Sequence, residues 1–102
     1  MTRSVVWLEV AAIEAQEARR YYDAEVPTLG TAFIEKLFAV VARVAAFPLA
    51  WQEVEGGVRR ALVDRFPYCI HYTIVDDDVL ILGVHHIRRR PISFSTRIPP
   101  RR

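Results

Sequence analysis

Three histidines, His71, His85 and His86, are the side chains of this sequence whose ordinary pKa suits proton transfer near neutral pH. Arginines crowd the same region: Arg59, Arg60, Arg65, Arg88, Arg89 and Arg90. That combination fits one reaction well. Cleaving RNA through its own 2′-hydroxyl needs a base for the hydroxyl proton, an acid for the leaving oxygen and cations for the phosphate. His85 and His86 are the acid and base candidates, Arg65 is a cation, and Glu53 or Glu55 could serve as an alternative base. The same residues also support a reading without chemistry. Arg59, Arg65, His71, His85, Arg88, Arg89 and Arg90 would make a basic surface on which an anionic partner docks. His85 and His86 are neighbours on a strand and point to opposite sides, so they cannot chelate one ion. No metal or cofactor is expected. The plainest reading of that pair is a strand end, one ring in solvent and the other capping the core.

These side chains need elements to hold them. Ser4 to Leu8 is a β-branched and aromatic run, which predicts a strand. From Glu9 to about Tyr22 the pattern becomes helical, with Ala11, Ala15, Ala18 and Tyr22 on one face. An alanine face lets a second helix approach closely. Thr28 is the expected cap of that second helix, Leu29 to Ala46, which Pro48 ends. Leu29, Phe33, Leu37, Val40, Val44 and Phe47 form one apolar stripe; Ile34, Phe38, Val41 and Ala45 form another beside it. Such a wide arc means either that the helix lies deep between the first helix and a sheet, or that part of it meets a partner. Trp51 to Gly57 reads as a loop, in which Trp51 is a possible partner contact.

Val58 to Asp64, Cys69 to Val75 and Val79 to His86 are three further predicted strands, the last two joined by Asp76, Asp77 and Asp78. The order is β-α-α-β-β-β, an α+β fold with a helical hairpin packed on one face of a mainly antiparallel sheet. If all three aspartates form the loop, Val75 faces Val79. Ile70, Tyr72 and Ile74 then share a face with Leu80, Leu82 and Val84, and that face packs on the helices. The opposite face, with Cys69, His71, Thr73 and His85, is left open for binding. Past Pro91 the prolines and arginines lack periodicity. The expected organisation is therefore a domain over residues 1–91 and a loose basic tail over 92–102.

Composition narrows the setting. One cysteine, Cys69, excludes an internal disulfide framework and points to a reducing, cytoplasmic compartment. No stretch approaches the roughly 20 apolar residues of a membrane helix, and Glu9 breaks the apolar run a signal peptide would need. The net charge of +2 hides an asymmetry. Residues 1–56 carry a net charge of −3 and residues 57–102 a net charge of +5, so the C-terminal half is the expected docking surface.

Two segments together resemble a known family. ARRYYDAEVPTLGTAF, an A-x-x-YY followed by P-x-LG-x-x-F, is similar to the first helical hairpin of RelE/ParE toxins, the ParE-like ones especially. VRRALVDRFPYCIHYTIVDDDVLILGVHHIRRRP resembles their R-x-x-x-x-x-FPY-x-I-x-Y strand, acidic turn and strand ending in H-x-R-R-x-P. The resemblance spans about Val5 to Pro91. It implies the toxin of a type II toxin–antitoxin module, of the plasmid-stabilisation type, causing growth inhibition when a cognate antitoxin is absent. The antitoxin would contact Phe38, Val41 and Trp51. ParE-like members inhibit DNA gyrase by contact; RelE-like members cleave messenger RNA on the ribosome. This sequence departs from the RelE-like pattern, having Lys36 as its single lysine and no tyrosine after Tyr72; Phe94 is the nearest aromatic there and cannot exchange a proton. Three functions stay open: a contact toxin, a ribosome-dependent endoribonuclease, and an inactive toxin-like domain that only binds its antitoxin.

Overall fold

A computed structural model describes residues 2–90 and 92–100. Its elements follow the chain as β1 (Val5–Trp7), α1 (Glu9–Glu25), α2 (Leu29–Ala46), β2 (Glu53–Glu55), β3 (Val58–Leu62), β4 (Tyr68–Val75), β5 (Asp78–His86) and a single 3-10 turn at Ser95–Arg97. The sheet order is β1-β5-β4-β3-β2. β1 runs parallel to β5, and the other pairs are antiparallel. The helical hairpin covers one face, as its pattern predicts. β2 is an added strand: the expected loop holds a short edge strand, irregular in register where it meets β3.

The helices pack through small residues. Ala11, Ala15 and Ala18 of α1 are buried, and Gly30 at the start of α2 is buried opposite. A methyl group at position 30 would overlap the Asp23 carboxylate and the Arg19 carbonyl. Thr28 does occupy the cap position, in the left-handed region at φ 74°, but its side chain caps nothing. Asp23 does that work: its Oδ1 accepts from the Gly30 N–H at 2.8 Å. Beneath the hairpin lie Phe33, Leu37, Val40, Val44, Ile70, Tyr72, Val79, Ile81 and Val84. Phe66 packs against Tyr22 and Phe33 with centroids 4.9 and 5.3 Å apart, so the FPY segment fastens the β3–β4 connection to the helices. The Tyr72 hydroxyl donates to the Pro48 carbonyl at 2.6 Å, which ties the end of α2 to the sheet.

The β4–β5 hairpin corrects the expected register. Val75 pairs with Asp78, so only Asp76 and Asp77 form the turn, with Asp76 at φ 55°. Aspartate tolerates that left-handed backbone, which makes the tighter turn accessible. Near the turn the pairing is therefore one residue out from the expected one. Leu82 is then an extra residue in β5, a bulge between Tyr72↔Ile81 and His71↔Gly83, after which the expected pairs hold out to Tyr68↔His86. Because side chains alternate along a strand, the slip sends Val79 and Ile81 toward the helices and Leu80 and Leu82 to the other face. Of the strand residues expected to pack on the helices, Ile70, Tyr72 and Val84 do so, Leu80 and Leu82 are buried on the opposite face, and Ile74 stays partly exposed.

That other face is not open. Val58, Leu80, Leu82 and Phe94 form a second small core there, with Ile98 packed against it. Residues 92–100 were expected to be a loose tail. They turn back across the sheet instead, with Phe94 only 1% exposed. Pro91, Arg101 and Arg102, where that expectation placed the domain boundary and the tail's end, lie outside the described residues.

Candidate functional site

The slip and the bulge decide which side chains meet on the outer face. Arg60 pairs with His71 and Leu62 with Cys69, and Cys69 in turn pairs with His85, so strands β3, β4 and β5 bring these five to one surface. Cys69, His71 and His85 line a cavity of about 90 Å³ together with Arg60, Arg89, Ile92 and Phe94. His71 is 7% exposed, and its ring stacks on that of Phe94 at 4.0 Å and 15°. The His85 ring meets the edge of His71 at 6.1 Å and of Phe94 at 5.6 Å. Gly83 makes this possible, since a methyl group there would overlap both Phe94 and the Arg97 guanidinium.

Burial, and then the neighbouring His85, pushes the His71 imidazole down to about 4. It is therefore neutral at physiological pH. Its Nδ1 lies 3.9 Å from the Cys69 Sγ, a weak contact. Burial also pushes the Cys69 thiol up to about 11, so that thiol is unreactive in place. The Nε2 of His85 is buried with no hydrogen-bond partner, the one such side-chain atom among the described residues. His86 faces the helix side, edge-on to Tyr68 at 5.0 Å, and its Nδ1 accepts from the Arg88 N–H at 3.0 Å. Burial first, then the charges of Arg89 and Arg88, lowers its pKa. His85 and His86 thus point apart, as strand alternation requires, and cannot share one substrate atom. Among the described residues no three His, Cys, Asp or Glu side chains are grouped to hold a metal ion.

The other candidates are dispersed. Arg59 lies on the helix side of β3, donating to the Trp51 carbonyl at 2.5 Å and pairing with Glu53 at 3.9 Å. These contacts pin the loop to β3. Glu53 also accepts from the Gly57 N–H at 3.3 Å. Arg65, at φ 71° in the β3–β4 turn, is exposed, and so are Arg88, Arg89 and Arg90. None of these four has an ion-pair partner among the described residues. Phe38 is 55% exposed and meets Trp7 edge-on at 6.2 Å, beside an apolar groove lined by Ala12, Ala15, Gln16, Ile34 and Leu37. Val41 faces inward and is buried in the helix-side core, and Trp51 is half-buried against the same core.

Two carboxylates hold the C-terminal segment: Glu55, which the sequence offered as an alternative base, and Glu14, to which it gave no role. Glu55 accepts from the Phe94 N–H at 2.6 Å, the Ser95 N–H at 3.1 Å and the Ser93 hydroxyl at 2.9 Å. Partial burial raises its pKa, but those bonds outweigh burial and keep the carboxyl below its ordinary value. Glu14 accepts from the Val84 N–H at 3.1 Å, where β5 runs past the end of β1. It also takes the Arg97 guanidinium in a fork of 2.9 and 3.1 Å, and Arg97 donates in addition to the Leu82 carbonyl at 2.9 Å. No local sequence signal marks either carboxylate, because both act across the fold.

The family model described as the ParE toxin of the type II toxin–antitoxin system parDE matches residues 5–91. No curated protein sequence matches. Among solved structures, a chain of the chromosomal ParDE system of P. aeruginosa superposes with a TM-score of 0.76 at 18% identity, covering 85% of this chain and 98% of that one. A mutant of the E. coli toxin RelE in the free state gives 0.65 at 16% identity, covering 86% of each chain. The toxin–antitoxin complex RelBE2 of Mycobacterium tuberculosis gives 0.56 at 23% identity, covering 84% and 99%. At these identities the likeness concerns the fold, two helices against a mostly antiparallel sheet. Among the described residues no helix is long and apolar enough to cross a membrane.

Proposed function

Because the chain belongs to the ParE toxin family of type II toxin–antitoxin systems, we propose that it is a toxin acting by contact, binding and inhibiting an essential cytoplasmic target such as DNA gyrase. The observation that carries this reading is the separation of charge from proton chemistry. Four exposed arginines, Arg65, Arg88, Arg89 and Arg90, have no ion-pair partner among the described residues. His71 is neutral and lies under Phe94, and His86 sits on the other side of β5. A contact inhibitor needs charge and shape, whereas a nuclease needs a proton-transfer group that reaches the substrate. The partner that silences it is a cognate antitoxin, whose apolar segment docks in the groove beside Phe38 and Trp7.

Induction of the chain without antitoxin tests this. Changing His71, His85 and His86 one at a time to Gln leaves growth inhibition within about threefold of the parent. Replacing Arg88, Arg89 and Arg90 together by Ala abolishes it. Loss of one general acid or base typically costs about 10²–10⁴-fold. A folded His85→Gln variant that loses toxicity together with transcript cleavage would establish the ribosome-dependent endoribonuclease instead.

A further inference from the structure

The segment that seals the outer face is attached in an unusual way. Its backbone hydrogen bonds are internal, from the Arg97 N–H to the Phe94 carbonyl and from the Ile98 N–H to the Ser95 carbonyl. Among the described residues no backbone-to-backbone bond joins residues 92–100 to the sheet. The attachments are side chains: the Phe94 ring in the slot over Gly83, the Glu55 carboxylate at the β2 edge, and the Arg97–Glu14 fork at the β5 edge. The segment therefore spans the sheet with its grip concentrated at these points and at Ile98, which packs on the outer core. Beneath it lie the apolar side chains of Val58, Leu80 and Leu82 and the rings of His71 and His85. A segment held this way can leave without breaking a ladder bond, so its opening is separable from global unfolding.

We propose that residues 92–98 are a releasable strap, fastened by Glu14 and Glu55, which masks the His71–His85 face of the sheet and bares it to a protein target on opening. The closed form hides an apolar floor beside the free arginines; the open form joins the two into one surface. An apolar centre with a charged rim is the composition of a protein-binding site. The consequence for the target rests on the contact reading above, whereas the existence of the strap does not.

Cys69 supplies the reporter, because it is the single cysteine, 2% exposed, and borders the same cavity as Phe94 and Ile92. The rate at which an aromatic disulfide reagent modifies it is measured in the full chain under native conditions. Gly83→Ala pushes Phe94 out of its slot, and Arg97→Ala removes one fastening. Each raises the rate about tenfold or more, with unchanged far-UV circular dichroism and with little dependence on low urea. Arg3→Ala, which breaks an exposed ion pair with Asp77, leaves the rate unchanged. Unaltered rates in both strap variants would overturn the proposal, as would rates that climb with urea as steeply as global unfolding. The second arm is growth inhibition, which rises in both strap variants. If it falls while the thiol becomes reactive, the segment is part of the target-binding surface and the masking role is wrong. If neither the parent nor any variant inhibits growth, the contact reading fails, and the thiol rates still decide the strap.

Discussion

His71 ties the stability of this fold to pH in a direction that can be worked out beforehand. Its folded value of about 4 lies below the ordinary 6.5, because burial and the neighbouring His85 both oppose the charged ring. Between those two values the unfolded chain binds a proton on His71 that the folded chain does not. Stability is therefore full above about pH 6.5 and declines as pH falls toward the folded value. Each unit between the two corresponds to about 1.4 kcal/mol, so the whole difference is about 3 kcal/mol, with about 2 kcal/mol already lost between roughly pH 7 and pH 5. Glu55, with its carboxyl held below the ordinary range, stays ionised across that window. The assay is urea denaturation at several pH values, on the parent and on His71→Gln. The parent loses about 2 kcal/mol more across the window than the variant, whatever the variant's stability at neutral pH, since the lowered His86 acts on both. Parallel profiles would mean that the buried His71 ring is not the source.

Four further outcomes follow from the packing. Leu37→Ala and Leu82→Ala each cost about 2–5 kcal/mol in chemical denaturation, though the two leucines belong to cores on opposite faces of the sheet. Gly30→Ala costs about 1–3 kcal/mol, because the added methyl meets the Arg19 carbonyl, which cannot move aside as a flexible side chain would. Phe38→Asp leaves the urea midpoint nearly unchanged, since the ring is mostly exposed, yet weakens capture by a cognate antitoxin; equal capture by parent and variant would move the docking groove elsewhere. Arg59→Ala releases the Trp51 carbonyl and destabilises the loop by about 1 kcal/mol without altering growth inhibition, which separates it from Arg88, Arg89 and Arg90.

Much of this architecture is written locally. The three- and four-residue spacing from Leu29 to Ala46 defines α2 to the residue, and the alanines of α1 specify a close helical hairpin. Alternation in β4 and the aspartates after it announce a hairpin, and the two quoted motifs identify the family that the ParE toxin model matches. Opposite orientations for His85 and His86 also follow from alternation alone. What periodicity could not carry is the count of residues in the turn. Two aspartates or three both satisfy turn chemistry, and the choice flips every side chain between the turn and the bulge at Leu82. The outer face depends on that choice. Phe94 sits in a stretch of prolines, serines and arginines with no period, and it is buried only because Gly83 on another element lacks a side chain. Arg97 finds Glu14, and Ser93 finds Glu55, across separations that no local pattern records. Helices and strands come from interactions between near neighbours, which sequence spacing encodes. The cover over the histidines comes from contacts between distant residues, which exist only once the sheet has set its register.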